Sequence, residues 1–244
     1  MIEAFKKYVS NYDLNDEKIK MKYEHSFRVM KLNKKYATML GLSNEDIEIA
    51  TIIGLLHDIG RFEQLKVYHT FNDFNSVDHA DYSVEQLFDN DLIKEFCSNE
   101  KWYPIIKFAI KNHNKLVIEN CNDERKLLHA RLIKDSDKVD IIYLLGTLGE
   151  LNQKCTSDKL SPELLKIFKD KKLVPRDKCK NKNDMILAQF AFVFDIYNDI
   201  CLKEYREYII NFYNRMNGGE QFKEVIEIVL NYIDERLEKY GNEY

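Results

Sequence analysis

Little in this sequence interrupts a helix. Of 244 residues only three are proline and eight glycine, the two residues that most strongly punctuate regular structure. No apolar run approaches the ~18 residues of a membrane span, and the opening stretch MIEAFKKYVSNYDLNDEKIK carries charge throughout, unlike a signal peptide. The five cysteines are odd in number, widely spaced and contain no C-x-x-C pair, which argues against a disulfide framework and a thiolate zinc site. Basic residues are not in excess: the net charge is -4 and the pI about 5.9, so nothing global points to a nucleic-acid duplex as partner. A glycine-rich nucleotide loop is also missing. The expectation is a cytoplasmic, non-membrane chain with free thiols.

Hydrophobic residues make up 45% of the chain, enough for a substantial core, and their period is helical. Met21, His25, Val29, Leu32 and Tyr36 share one face of a helix expected from about Asp16 to Leu40. Gly41 follows as a C-cap, and Ser43 to Asp46 has the form of a capping box. The next helix carries Ile49, Ala50, Ile53 and His57, with Gly60 as its expected end. Residues 61–78 lose periodicity and read as a loop with at most a short helical turn. Further helices are expected near Asp78–Phe88, Pro104–Asn112, Asp123–Leu148, Pro162–Asp170, Asn183–Asn214 and Gln221–Tyr240, with a basic irregular connection over 171–182. The fold class expected is all-α, as a single domain over residues 1–244.

The six histidines are the most informative residues. His25 lies on the apolar stripe of its helix, between Met21 and Val29. His57 holds an equivalent place four residues after Ile53, with Asp58 directly behind it. Asp137 falls between Ile133 and Ile141 at helical spacing and so points inward, whereas Asp135, four residues after Arg131, is expected to be exposed. An ionised aspartate facing a core needs a compensating charge. Two histidines and two aspartates aimed at one interior suggest a metal ion, and imidazole with carboxylate suits Fe, Mn, Zn or Co better than Ca. Taken singly, these residues also fit plain packing roles: an inward histidine is often a hydrogen-bonded core residue, and a lone aspartate can pair with a lysine or arginine.

The ordered combination is more specific. His25, then LLHDIGRF (Leu55–Phe62), then KDSDKVD (Lys134–Asp140) resembles the H…HD…D signature of HD-domain phosphohydrolases over roughly residues 20–145. The resemblance implies a multi-helix bundle, with added helices over about 150–244, whose metal is held by His25, His57, Asp58 and Asp137. Asp137 is preferred to Asp135 because the family's last aspartate precedes a basic and an apolar residue, here Lys138 and Val139. Some HD families hold a second metal on two further histidines, which here are His79 and His113, with Asp58 bridging; the alternative is that these two contact substrate phosphate. The cofactor implied is one or two divalent ions of Mn, Fe, Co, Ni or Zn, with Mg as a further option.

Catalytic roles fall on Asp58, on Arg61 as a forked phosphate ligand and on Lys138 as a point charge, with a purely structural lysine as the favoured alternative for Lys138. Arg61 is read equally well as tying down the following loop. Glu63, Asp73 and Asp78 are candidate general acids or bases, and Asn112, Asn114 and Gln189 candidate polar neighbours of substrate. His69 is expected at the surface, with a place at the site entrance as the lesser reading, and His129 is given no role. The implied activity is hydrolysis of a phosphomonoester or phosphodiester, a nucleotide by preference. A di-iron oxygenase on the same ligands and a non-catalytic nucleotide sensor are the alternatives. The C-terminal helices could cover the site, extend the core or form a homodimer interface.

Overall fold

The computed structural model describes residues 1–148, 154–217 and 219–242. The helices are α1 (Ile2–Val9), α2 (Glu17–Met39), α3 (Asn44–Leu56), α4 (Gly60–Tyr68), α5 (His79–Phe88), α6 (Tyr103–Asn112), α7 (Glu124–Tyr143), α8 (Pro162–Lys169), α9 (Lys182–Phe190), α10 (Leu202–Arg215) and α11 (Lys223–Asn242). No strand occurs among the described residues, so the chain is all-α, and no helix among them is long and apolar enough to cross a membrane. Two compact units are distinguished, Met1–Asp137 and Lys138–Tyr244, with the division inside α7.

In the first unit the caps fall where side-chain chemistry puts them. Asp16 accepts from Lys18 N and Ile19 N at the start of α2, and Ser43 accepts from Asp46 N at the start of α3. Gly41 takes the left-handed conformation (φ 67°) between them, so the two helices fold back on each other through a short link. They approach closely at Gly54, where a Cβ would stand 2.8 Å from Met30 Cα and 3.0 Å from Val29 O. Asn33 of α2 locks the contact, donating to Ala50 O at 2.7 Å and accepting from Ser136 Oγ of α7 at 2.8 Å. Phe5 of α1 packs against Tyr23, Phe27 and Phe62. The core then runs through Val29, Ile49, Ile53, Leu56, Ile59, Ile106, Ile110 and Ile133.

Two expectations are corrected. Gly60 begins a helix: after one turn the chain re-enters α4, so residues 60–68 are not loop. The helical period there is masked because buried Gln64 stands among the buried Phe62 and Leu65. Gly60 is needed for another reason, since its N donates to Ser83 Oγ (2.9 Å) and a Cβ would meet Ser83 N at 2.6 Å. In the second unit the single helix expected over Asn183–Asn214 is divided into α9 and α10 by a 3₁₀ turn at Ala191–Asp195 and an extended stretch after it. No glycine or proline marks the break. Arg236 of α11 makes it, taking Ile196 O at 2.7 Å and Asp199 Oδ1 at 2.6 Å.

Candidate metal centre

Six side chains meet inside the first unit. His25 comes from α2, His57 and Asp58 from the turn after α3, His79 from the first position of α5, His113 from the C-cap of α6 and Asp137 from α7. The close approaches at Gly54 and Gly60 bring α2 and α5 against the His57–Asp58 turn. Asp78 caps α5 by accepting from Ala80 N and Asp81 N, which fixes the helix start that carries His79.

The donor atoms fall into two groups that share Asp58. His25 Nε2 stands 3.2 Å from His57 Nε2 and 3.1 Å from Asp137 Oδ1. Asp58 Oδ2 lies 3.6 Å from His25 Nε2 and 3.7 Å from His57 Nε2. On the other side, His79 Nε2 and His113 Nε2 are 3.1 Å apart, and each is 3.5 Å from Asp58 Oδ1. With ligand bonds of about 2.1 Å, two ligands of one ion stand about 3.0 Å apart at a right angle and about 3.4 Å apart at the tetrahedral angle. Both groups have that scale, and each oxygen of Asp58 serves one of them.

The protonation of the rings supports a cation. His57 Nδ1 faces Gly54 O at 2.9 Å and His113 Nδ1 faces Ile110 O at 2.7 Å. A carbonyl only accepts, so both rings carry their proton on Nδ1. Burial holds His57 below the usual histidine range despite the neighbouring carboxylates, leaving a neutral ring with a lone pair at Nε2. Lone pairs directed at a common point at these spacings repel unless a cation lies between them. Asp58 Oδ1 is buried without a hydrogen-bond partner, a costly arrangement for a carboxylate oxygen. Burial pushes the Asp58 carboxyl up, yet the Lys22 ammonium at 2.6 Å holds it well below the usual range. Burial likewise pushes Asp137 up, and His25 at 3.1 Å prevails to hold it well below the usual range. Among the described residues, His25–His57–Asp58 and Asp58–His79–His113 are both groups able to hold a metal ion, and the donor set fits one.

Around them the expected residues take varied places. Arg61 Nη1 donates to Gln64 Oε1 (2.7 Å), Phe71 O (2.8 Å) and Asp73 Oδ1 (2.7 Å), so it ties the 71–73 segment to α4. Asp73 also accepts from His79 Nδ1; burial pushes its carboxyl up, but His79 and Arg61 hold it below the usual range. Burial and the Arg61 charge lower His79 to about 4. Glu63 is taken by Tyr12 at 2.8 Å, and Asp78 by Lys115 at 2.8 Å. Asn114 reaches Asp78 (3.0 Å), while Asn112 donates to Phe108 O and accepts from Glu119 N.

Of the remaining residues, Asp135 departs from the sequence reading. Lys138 is buried and paired with Asp195 at 2.7 Å. Asp135, expected at the surface, is fully buried, because α7 is enclosed on several sides: His129 meets Asp46 of α3, Ser136 meets Asn33 of α2, and Lys134 reaches Lys115 O. His69 is exposed and left-handed at the C-cap of α4. His129 is held by Asp46 at 3.1 Å, outside the two groups. Gln189 is buried with Oε1 unpartnered.

Sequence reasoning missed Lys22 and Gln64. Lys22 Nζ lies 2.6 Å from Asp58 Oδ2, and its signal was the three-residue spacing to His25, which puts both on one helix face. Gln64 donates to Asp73 Oδ1, Ser76 Oγ and Val77 O; it stood in a stretch read as loop.

Residues 23–142 match the family model of the HD domain. They are an HD domain. The match contains His25, His57, Asp58, His79, His113 and Asp137, and HD domains form an all-α family, generally of metal-dependent phosphohydrolases. No curated protein and no solved structure was found to match the chain.

Proposed function

We propose that the HD domain of this chain hydrolyses a phosphomonoester or phosphodiester, with a nucleotide as the preferred substrate class, at a centre of two divalent ions. The observation that carries this reading is Asp58, whose two oxygens each face a separate imidazole pair at 3.5–3.7 Å. His25, His57, Asp58 and Asp137 would hold one ion, and His79, His113 and the other oxygen of Asp58 the second. Mixed imidazole and carboxylate donors suit Mn, Fe, Co, Ni or Zn. When bound, such ions supply a water whose pKa falls from about 15.7 towards ~7 and draw charge from a phosphoryl oxygen.

The chain's own residues supply aim. Gly54 O and Ile110 O fix the ring orientation of His57 and His113, and Asp73 does the same for His79, the usual way ligating imidazoles are set. Arg61 keeps Asp73 in place rather than reaching for substrate. The test is metal content after purification without chelator, together with phosphate release from a panel of nucleotides and phosphodiesters under added Mn, Fe, Co, Ni, Zn and Mg. Metal-dependent release that is lost in Asp58→Ala supports the proposal; a fully metal-loaded protein inert on the whole panel refutes it.

A further inference from the structure

We propose that Lys22 is the side chain that takes the substrate's phosphate, a role sequence reasoning had given to Arg61; the inference rests on the phosphohydrolase reading above. Two cations flank Asp58, and they are bound very differently. Arg61 is fixed: its Nη1 already serves Gln64, Phe71 O and Asp73, and its Nε stands 3.8 Å from Asp58 Oδ1. Turning Nη1 to a ligand would break its hold on Gln64, Phe71 O and Asp73 and release the 71–73 segment, and Nε, though without a hydrogen-bond partner, is buried away from solvent. Lys22 has one acceptor among the described residues, Asp58 Oδ2 at 2.6 Å. An ammonium has three N–H donors, so two remain to be given.

Position agrees with this. The Lys22 side chain is 17% exposed against 3% for Asp58, so it keeps access to solvent that the carboxylate it touches lacks. Its stem rises from α2 one turn before His25, and the Phe71 ring lies 5.8 Å from Nζ, a wall that limits where the ammonium can swing. The oxygen it holds is the one that faces His25 and His57. Once Asp58 gives its charge to a metal, its pull on the ammonium weakens, and the phosphate becomes the stronger acceptor within reach. Lys22 is thus stored beside the centre by Asp58 and transferred to a phosphoryl oxygen when one arrives. No bond is made or broken beyond hydrogen bonds.

The experiment uses the full chain loaded with Mn. Inorganic phosphate is titrated calorimetrically into wild type, Lys22→Met, Lys22→Gln and Lys22→Arg, with metal stoichiometry measured on the same samples. The expected result is undiminished metal content in all four, phosphate affinity lowered roughly 10- to 100-fold in the Met and Gln variants, and most of it restored by Arg. Unchanged phosphate affinity in metal-loaded Lys22→Met or Lys22→Gln overturns the assignment while leaving the phosphohydrolase reading intact. Loss of metal in those variants also overturns it, since Lys22 would then serve the ligand set. If metal-loaded wild type takes up no phosphate, the assignment fails, while the phosphohydrolase reading stands or falls on phosphate release from the substrate panel.

Discussion

Asp73→Asn is the most discriminating single change, because it alters one proton and little volume. Asp73 receives His79 Nδ1 on one oxygen and Arg61 and Gln64 on the other. Asparagine still offers one oxygen, and the Arg61 and Gln64 bonds claim it. Its amide nitrogen then faces His79 Nδ1, donor against donor. The imidazole relieves this by moving its proton to Nε2, the atom that stands 3.1 Å from His113 Nε2 and 3.5 Å from Asp58 Oδ1. A protonated Nε2 cannot bind a metal. Loss of such a partner costs about 10- to 100-fold in metal affinity, or about 1.4–2.7 kcal/mol. The loss should fall on one ion alone, because His25, His57 and Asp137 belong to the group on the far side of Asp58. Mn titration by calorimetry, with metal analysis after dialysis, should resolve one site at wild-type affinity and one weakened. Equal weakening of both sites, or neither, refutes the reasoning from the tautomer.

Asp58→Ala should abolish binding of both ions, whereas Asp137→Ala and His113→Ala should each remove one; metal analysis giving one ion in Asp58→Ala would contradict the bridging role. Gly54→Ala drives a Cβ to 2.8 Å from Met30 Cα, where only backbone can yield, so it should destabilise the fold by about 1–3 kcal/mol; an unchanged urea midpoint would show that α2 and α3 separate freely. Burial pushes the Asp46 carboxyl up, but Ser43, Arg125 and His129 outweigh it and hold the group at about 2. Its folded pKa is depressed, so its stabilisation is full above the unfolded value of about 3.9 and is lost as pH falls through about 2. With solvent screening allowed for, Asp46→Asn should therefore cost about 1–2 kcal/mol at neutral pH and flatten the acid slope of the urea midpoint, and parallel slopes in the two proteins would refute the assignment.

What could be read from the sequence was whatever a single helix carries. His25 and Asp137 lie on apolar stripes, and His113 shares the face of Ile106 and Ile110, so their inward direction follows from the 3.6-residue period alone. Asp135 shows the limit of that logic: α7 is enclosed on more than one side, and a stripe argument assumes one buried face. The choice between a structural and a catalytic Lys138 stayed open for a related reason, since its partner Asp195 lies far along the chain and only folding joins them. The division of labour between Arg61 and Lys22 was beyond reach because it depends on where α4, the 71–73 segment and α2 meet, and α4 itself carried no clear period. Gly60 makes the point most directly. Its place two residues after Asp58 served as part of a motif and as a helix end, yet α4 begins there, and what requires glycine is Ser83 of α5 against its backbone. The same contact sets the start of α5, and with it His79, beside Asp58. A glycine in this motif therefore bears on the second imidazole pair through packing, although it contributes no ligand atom.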